Sequence, residues 1–522
     1  MQRTRAAKRT IGVNLSELIA RNAAFNPGKP ALVFEGEILS YAAFHARIVQ
    51  TACALQSVCG VGSGDRIAIL AMNRPDYLVL LYACAKLGAM LVPLNWRLAL
   101  AEQMFMITDA SVKLLLLERA FAEIMPTLAR ELPDVQTIGL DFSPLQGCSF
   151  NELLTRAAGN GRNPNSDLSA PLLIVYTSGT TGRPKGAVLR QEALLWNGIM
   201  SQHMHSLTSE DRVLTVLPFF HVGGLNIQTT PALHHGATVT ILPRFTPGAA
   251  LQAITRSRPT LTVLVPATIQ AVTDDPAWST TDLSSLKAVT TGSTIVPPHL
   301  IEHFVARGVP VLQVYGSTET CPVAVYTRLG GDLSRAGSTG LPGLCCEASI
   351  VDDAGIELPP DASGEIVVRG PQVFCEYWRN EAATREALLD GWYRTGDIGV
   401  RDADGYFWVH DRKKNVIISG SENIYPAEVE RVLLEHPDVV DCGVIGRPDP
   451  KWDEVPVACI VRRPGTATDA EALTAHVAIQ LSRFKVPREI VFVDDLPRTA
   501  LGKVQHFRLK QLYASLAARK TP

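Results

Sequence analysis

The stretch YTSGTTGRPKG, residues 176–186, contains three glycines, four serine or threonine hydroxyls, an arginine and a lysine. The run that enters it, residues 172–176, is short, apolar and bounded by turn residues, which predicts a buried strand. Glycines let backbone N–H groups approach an anion closely, hydroxyls add donors, and lysine adds positive charge. The stretch is therefore a candidate phosphate-binding loop, and the alternative is a flexible Gly/Ser/Thr linker.

The nearest general phosphate-binding motif is the Walker loop, G-x-x-x-x-G-K-[ST], and this stretch does not match it. Counting from Gly179, the second required glycine falls on Pro184. Lys185 is followed by Gly186 rather than by a hydroxyl residue. The sequence therefore predicts a phosphate-binding loop of another design.

Length and composition restrict the class of protein. A chain of 522 residues exceeds one ordinary core, so at least two domains are expected. The net charge is −2, whereas a nucleic-acid partner would favour a strong basic excess. Ten scattered cysteines without a C-x-x-C pair indicate reduced thiols in a cytoplasmic protein. The short histidine groups at 203–205 and 234–235 are interpreted as incidental rather than as a metal site.

The most membrane-like run covers residues 77–96, but Lys86 interrupts it and Pro93 ends it. We therefore expect a buried helix that enters a strand, and not a transmembrane segment. The basic N-terminus is followed by residues too polar for a signal peptide. Contact of a surface patch with a membrane remains an open alternative.

Strand-like and helix-like segments alternate over the first four hundred residues, which predicts an α/β fold with mostly parallel sheets. The candidate strands are residues 66–70, 113–117, 213–217, 239–242, 261–265 and 311–315. The clearest helices are residues 249–256, just after Pro247, and residues 297–307, opened by Pro297.

The pattern changes after about residue 400. Residues 398–401 and 406–409 read as paired strands around an Asp-Gly turn, and a short strand at 415–419 follows a charged stretch. A helix with Pro426 in its first turn comes next. We predict a large N-terminal domain, residues 1–411, and a small α+β C-terminal domain, residues 412–522, with a polar hinge near Lys414.

Seven further stretches are more polar or richer in glycine than packing alone requires. They are PFFHVGG at 218–224, TTGST at 290–294, YGSTE at 315–319, GWYRTGD at 391–397, DRKKN at 411–415, SGSENIYPAEVE at 419–430 and PRTALGK at 497–503. Together with the candidate phosphate-binding loop, residues 176–186, they occur in the order and approximate spacing of the motifs of one family. The chain resembles the adenylate-forming superfamily over nearly its whole length, in particular its acyl- and aryl-CoA synthetases.

The resemblance implies a reaction in two steps. A carboxylate attacks the α-phosphate of Mg-ATP, giving an acyl-adenylate and pyrophosphate, and a thiol then displaces AMP. The implied substrates are a carboxylic acid, ATP and CoA, and the implied cofactor is Mg2+. The family fold implies an N-terminal domain of several subdomains and a mobile C-terminal domain. The oligomeric state stays open, with a homodimer among the alternatives.

The resemblance also assigns roles around the phosphates of ATP. The β- and γ-phosphates would be held by Thr177, Ser178, Gly179, Thr180, Thr181, Gly182 and Lys185. Glu319 would bind Mg2+ as a hard carboxylate ligand, together with the hydroxyl of Thr177. Thr318 would bind phosphate. For Glu319 alone, the plain alternative is a surface ion pair.

The adenine, the ribose and the reacting carboxylate have their own candidates. Tyr315 with Gly316 would face adenine, and the alternative for Tyr315 is core packing. Gly292 and Ser293 would line the adenine and acyl sites, where many relatives have a Gly-Ala-Pro-like stretch. Asp397 would accept hydrogen bonds from both ribose hydroxyls, with support from Arg412. Arg412 could instead be a solvated charge.

Lys503 matches the catalytic lysine of adenylation. A cation that bridges the anionic carboxylate and the anionic phosphate offsets their repulsion and stabilises charge in the transition state. A lysine near a C-terminus is usually solvent-exposed, and the P-x-T-x-x-G-K spacing is what raises the functional interpretation. Lys414 matches the hinge about which the small domain of the family rotates.

The acid is predicted from PFFHVGG. This stretch lacks the carboxylate that amino-acid-activating relatives use for the substrate ammonium, which argues against an amino acid. His221 resembles the aromatic gate between the acyl site and the thiol tunnel. The acyl pocket would be lined by Val222, Gly223, Leu225 and Thr294. An apolar acid fits, and fatty and arylalkenoic acids both remain open.

The thiol is predicted from Ser419, Gly420 and Ser421, which match the loop beside the pantetheine channel. Ser421 replaces a glycine that many CoA ligases have there. Since no carrier domain follows, CoA is the expected acceptor. Two alternatives remain: an adenylating enzyme that serves a separate carrier protein, and a non-catalytic nucleotide-binding relative.

Overall fold

A computed structural model describes residues 13–144, 147–177, 184–293, 296–335, 337–419, 422–499 and 502–520. The strands are β1 Pro30–Phe34, β2 Glu37–Ser40, β3 Arg66–Leu70, β4 Met90–Pro93, β5 Leu114–Leu117, β6 Gln136–Gly139, β7 Cys148–Ser149, β8 Pro171–Thr177, β9 Lys185–Arg190, β10 Arg212–Thr215, β11 Thr238–Ile241, β12 Leu261–Val263, β13 Ala288–Gly292, β14 Val311–Tyr315, β15 Val325–Tyr326, β16 Leu341–Pro342, β17 Glu347–Val351, β18 Gly364–Arg369, β19 Glu376–Tyr377, β20 Leu388–Leu389, β21 Trp392–Arg401, β22 Phe407–Arg412, β23 Ile417–Ser419, β24 Glu422–Ile424, β25 Val439–Asp449, β26 Asp453–Arg462 and β27 Glu489–Phe492.

The helices are α1 Leu15–Phe25, α2 Tyr41–Ser57, α3 Pro75–Leu87, α4 Leu100–Asp109, α5 Met125–Glu131, α6 Phe150–Thr155, α7 Gln191–His205, α8 Val222–Asn226, α9 Thr229–His234, α10 Pro247–Ser257, α11 Pro266–Asp274, α12 Pro298–Val305, α13 Glu381–Ala387, α14 Pro426–Leu434, α15 Ala470–Gln480 and α16 His506–Lys520. Several begin with proline, whose missing N–H has no intrahelical partner at that position anyway.

Within the described residues, the strands form four sheets. The largest has the order β16-β15-β14-β13-β12-β10-β11-β1-β2, and its central strands from β14 to β1 run parallel. A second has the order β19-β9-β8-β4-β3-β5-β6-β7 and is parallel from β8 to β7. The α/β class with mostly parallel sheets in the N-terminal part is confirmed.

The two remaining sheets lie later in the chain. Strands β17, β18, β20, β21 and β22 form an antiparallel sheet that carries part of the site. Strands β23–β27 form the sheet of the C-terminal segment, with α14 and α15 packed on one face and α16 on the other. This segment has hydrophobic clusters of its own, which agrees with the predicted small α+β unit.

Several predicted boundaries were wrong, most of them by one to three residues, while the strand predicted at 398–401 begins six residues earlier, at Trp392. Helix α12 begins at Pro298, because Pro297 has an extended ψ and caps the helix from outside. Helix α10 includes Pro247 as its first residue. The strand expected at 415–419 begins at Ile417, because a short 3-10 turn, Lys413–Asn415, precedes it.

The membrane-like run of residues 77–96 folds as predicted. It forms most of the buried helix α3, which ends at a left-handed Gly88, and then the buried strand β4. In the part of the chain that the structure describes, no helix is long and apolar enough to cross a membrane.

The candidate phosphate-binding loop connects two strands of one sheet. Strand β8 enters it and β9 leaves it, and the two pair antiparallel, with Thr177 opposite Lys185. A Walker loop instead leads from a strand into a helix N-terminus. Here the next helix, α7, begins only after β9, which explains why the Walker spacing failed.

Candidate active site

The phosphate-loop candidates begin at the ends of β8 and β9. The Thr177 hydroxyl lies 3.4 Å from the Lys185 carbonyl oxygen and can donate to it. The Lys185 ammonium lies 5.2 Å from the centre of the Tyr377 ring, because β19 pairs with β9. The predicted loop residues Ser178, Gly179, Thr180, Thr181 and Gly182 lie outside the described residues.

Glu319 sits in a tight turn after β14 and is only 6% exposed. The hydroxyl of Tyr377 donates to Glu319 Oε1 at 2.8 Å. Tyr377 therefore touches both Lys185, through its ring, and Glu319, through its hydroxyl. Thr318, a predicted phosphate contact, belongs to the same turn. Tyr377 was not predicted from the sequence, because nothing in CEYW, residues 375–378, separates a functional tyrosine from a packed aromatic residue.

Two predicted glycines are required by close backbone contacts. A Cβ at Gly316 would lie 1.8 Å from the Pro322 carbonyl oxygen, and one at Gly292 would lie 2.3 Å from the Val314 carbonyl oxygen. Ser293, by contrast, has a left-handed backbone with φ of 73°, a conformation that costs a non-glycine residue energy. Its neighbour Thr294 lies outside the described residues.

Asp397, Arg412 and Tyr315 form one hydrogen-bonded group. Asp397 and Arg412 are cross-strand partners on β21 and β22, and Arg412 Nε lies 2.7 Å from Asp397 Oδ1. The Tyr315 hydroxyl donates to Asp397 Oδ2 at 2.8 Å. Asp397 raises the pKa of Arg412, which keeps the guanidinium charged. A carboxylate has about four acceptor positions, so two remain for further donors.

The alternatives considered for this group are wrong in part. Arg412 is not a solvated charge, because it pairs with Asp397 and also donates to the Thr395 carbonyl oxygen at 3.0 Å. Tyr315 does more than pack its ring, because its hydroxyl donates a hydrogen bond to Asp397. Burial and the charge of Asp397 raise the pKa of this hydroxyl.

Lys503 reaches the same group from the C-terminal segment. Its pKa is lowered to about 8, chiefly by burial and then by the charge of Arg412, with Asp397 and Asp411 acting in the opposite direction. The neighbouring Gly502 has a left-handed backbone, and a Cβ there would lie 3.0 Å from Cβ of Ala267 at the start of α11. The loop that carries Lys503 therefore rests on the large domain.

Arg498 connects the segment that carries Lys503 to strand β25. It donates to the carbonyl oxygen of Gly502 and forms an ion pair with Asp441 of β25, with Nε 3.1 Å from Asp441 Oδ2. The Thr499 N–H donates to the Lys503 carbonyl oxygen at 2.7 Å. The sequence analysis included Arg498 in the PRTALGK stretch without giving it a role.

Lys414 lies in the turn between β22 and β23, and burial with nearby Arg412 lowers its pKa. Next to it, Asp411 accepts hydrogen bonds from Asn415 Nδ2 at 3.0 Å and from the Ala427 N–H at 2.9 Å. The end of the antiparallel sheet is thus tied to the first turn of α14.

His221 precedes α8 and packs against Phe220, with ring centres 4.7 Å apart. Burial and nearby Arg97 lower its pKa to about 4, so the ring is neutral at pH 7. Its Nε2 is enclosed and has no hydrogen-bond partner within the described parts of the chain. A neutral, aromatic ring at this position fits the predicted gate.

The two glycines after His221 differ in their surroundings. A Cβ at Gly224 would lie 2.4 Å from the Pro218 carbonyl oxygen, so packing requires glycine there. A Cβ at Gly223 would meet Cδ1 of Ile227 at 3.9 Å, an ordinary van der Waals contact, so packing does not require glycine there. Val222 and Leu225, the other predicted pocket residues of α8, are buried in the core.

Of the predicted CoA-channel residues, the structure describes only Ser419. It is 8% exposed and pairs with Glu422 and with Asp453 at the edge of the C-terminal sheet. Gly420 and Ser421 lie outside the described residues.

Comparisons with known proteins agree with this geometry. A model of the AMP-binding enzyme family matches residues 19–378, and one of the AMP-binding enzyme C-terminal domain matches residues 428–503. An indoleacetate–CoA ligase of Aromatoleum aromaticum is 47% identical over 510 residues, 98% of this chain and 99% of that protein. A feruloyl-CoA synthase of an Amycolatopsis species is 38% identical, covering 93% and 96%.

Among solved structures, the o-succinylbenzoate CoA synthetase MenE of Bacillus subtilis, in complex with its acyl-adenylate OSB-AMP, superposes with a TM-score of 0.83. It is 32% identical, and the match covers 94% of this chain and 97% of that one. The chain belongs to the AMP-binding enzyme family, as the sequence predicted. It is an AMP-forming acid–CoA ligase that works through an acyl-adenylate.

Proposed function

We propose that this ligase activates aromatic carboxylic acids, with arylacetic acids such as indoleacetate as the first candidates. The observation that carries the proposal is the 47% identity to an indoleacetate–CoA ligase over almost the whole of both chains. The absence of a side chain at Gly223, two residues after the neutral ring of His221, supports an acid with a bulky tail.

In the adenylation step, Lys503 would bridge the attacking carboxylate and the α-phosphate. The partial burial that lowers its pKa also strengthens its attraction for both anions, because charges interact more strongly away from water. Thr177 and Lys185 would contact the β- and γ-phosphates, together with the loop that β8 and β9 support. Support comes from the position of Lys503, which is close enough to Arg412, Asp397 and Asp411 for their charges to shift its pKa.

Asp397 would bind the ribose. Its two oxygens each accept one hydrogen bond, from Arg412 and from Tyr315, and each retains one acceptor position. Two adjacent ribose hydroxyls are the matching pair of donors. Arg412 would keep the carboxylate ionised and oriented, while the Tyr315 ring would face adenine beside Gly316.

Glu319 and Thr177 would hold Mg2+. The donor set fits this ion, because both side chains offer oxygen and the Tyr377 hydroxyl orients Glu319 without occupying its second oxygen. Within the described residues, no group of three or more His, Cys, Asp or Glu side chains gathers around a common point. Phosphate oxygens would therefore complete the shell, as is common for Mg2+, which would neutralise part of their charge.

For thioester formation, we propose that residues 412–522 rotate about a hinge near Lys414 and withdraw Lys503. Support comes from the change of sheet between β22 and β23, on either side of the Lys414 turn. His221 would then admit the CoA thiol, and the loop after Ser419 would flank the pantetheine.

The test is an acid panel with ATP, Mg2+ and CoA, including arylacetic, arylalkenoic and fatty acids, with AMP and thioester measured together. We expect the highest kcat/KM with aromatic acids. A preference for fatty acids contradicts the proposed acid class. Adenylate without thioester contradicts CoA as the acceptor, and transfer to a supplied carrier protein would identify that alternative. A homodimer is a separate expectation, for light scattering after gel filtration.

A further inference from the structure

A buried polar cluster lies on β13, two residues before Gly292. The Thr290 hydroxyl oxygen is 2.8 Å from His205 Nε2 and 3.1 Å from Gln228 Nε2. We call Ser201, His205, Thr290 and Gln228 the Thr290 cluster. All four are almost completely buried, with exposures of 0–2%. Gln228 follows α8, so the cluster joins α7, the segment after α8, and β13.

The direction of each hydrogen bond in the cluster can be derived. Burial lowers the pKa of His205 to about 4, so one ring nitrogen carries a proton and the other accepts. His205 Nδ1 lies 2.7 Å from the Ser201 carbonyl oxygen, which only accepts, so Nδ1 is the donor. Nε2 therefore accepts from the Thr290 hydroxyl, whose only proton is then used.

This direction determines the orientation of the Gln228 amide. Because Thr290 already donates to His205, it can only accept from Gln228, and the NH2 group must point toward it. The carbonyl oxygen, Gln228 Oε1, must then point away from Thr290. Over the described residues this oxygen is enclosed and has no hydrogen-bond partner.

Gln228 lines a cavity that also touches Gly223 and Gly224, together with the ends of β10 and β12. Its volume is about 10 Å3, so it holds about one water-sized group. Packing does not require glycine at Gly223. Among the described residues, the cavity therefore shares Gly223 with the predicted acyl pocket.

We propose that Gln228 Oε1 is a hydrogen-bond acceptor for the substrate and selects aromatic acids whose ring system carries an N–H or O–H donor. The proposal rests on the proposed function. A buried amide oxygen without a partner is costly, and a donor of the substrate would satisfy it at the moment of binding. The small cavity admits the donor atom, while the ring itself lies over Gly223.

The test compares two acids of nearly the same shape. Indole-3-acetate carries a ring N–H, and benzofuran-3-acetate has an oxygen in its place. With saturating ATP and CoA, we expect kcat/KM for the indole acid to exceed that for the benzofuran acid roughly ten- to hundredfold. In Gln228→Met, which keeps the length of the side chain without its acceptor, this ratio should fall to near one.

Gln50→Met is the matched control, because Gln50 is an exposed residue of α2, and it should keep the wild-type ratio. If Gln228→Met does not fold, Gln228→Asn, which withdraws the amide by one methylene, gives the same readout. Equal kcat/KM for the two acids in the wild type, or an unchanged ratio in the folded variant, overturns the subsite and leaves the proposed function standing. Thioesters from fatty acids alone overturn both.

Discussion

The pKa of Lys503 predicts how adenylation depends on pH. Only the protonated amine can bridge two anions, and burial lowers this pKa to about 8. With that pKa, about 0.9 of the free enzyme is protonated at pH 7 and about 0.1 at pH 9. We therefore expect kcat/KM for the acid to fall about tenfold between these two values.

The assay is ATP–pyrophosphate exchange without CoA, which isolates adenylation from the ionisation of the thiol. Because bound ATP adds negative charge beside Lys503 and raises its pKa, the fall in kcat should occur at higher pH than the fall in kcat/KM. Lys503→Arg keeps its charge throughout, so it should lose the alkaline fall even if it is slower.

Lys414 is the necessary control, because burial lowers its pKa as well. A fall that persists in Lys503→Arg but disappears in Lys414→Arg would refute the assignment. A flat profile up to pH 10 would refute it too, since the amine would then be solvated and its pKa would be ordinary.

Three further predictions concern neighbouring residues. Tyr377→Phe removes the 2.8 Å hydrogen bond to Glu319, worth about 1.5 kcal/mol, so kcat/KM for adenylation should fall about tenfold and the Mg2+ requirement should rise; an unchanged Mg2+ titration would contradict this. Gly223→Val should lower kcat/KM for bicyclic acids at least tenfold more than for benzoate, since it adds a side chain in the predicted acyl pocket. Gly224→Ala should instead lower the free energy of unfolding by about 1–3 kcal/mol in urea titrations, because its Cβ would overlap backbone; an unaltered midpoint would exclude that contact.

Local sequence pattern predicted the elements whose interactions are local. Strand β14 begins and ends where an apolar run meets turn residues, and it was predicted to the residue. Predicted boundaries next to prolines and charged turns were less accurate, because the same amino-acid types occur there both as capping residues and as helical residues. The order of the strands in the sheets could not be predicted from the sequence pattern, because strand pairing depends on long-range contacts that local hydrophobic periodicity does not contain.

The site shows the same division. The resemblance singled out Asp397 and Arg412, but not that they are cross-strand partners, which follows from the register of β21 and β22. Tyr377 lies 58 residues from Glu319 in sequence, and tertiary contacts such as the hydrogen bond from the Phe374 N–H to the Glu319 carbonyl oxygen bring them together. A tyrosine and a phenylalanine would have read alike in that stretch.

Gln228 shows what a sequence can and cannot say about a buried polar residue. The polar run of residues 228–230 follows the glycines of the predicted acyl pocket, and this is a signal that could have been found. The polar run alone cannot distinguish a structural amide from one that contacts substrate, because the distinction depends on whether the NH2 group or the carbonyl oxygen already has a hydrogen-bond partner in the protein. The direction is set by His205, a residue interpreted as incidental, whose burial keeps it neutral and leaves Thr290 only an acceptor for Gln228. In the proposed subsite, substrate specificity therefore depends on which nitrogen of His205 carries the proton, although Thr290 and Gln228 lie between His205 and the substrate.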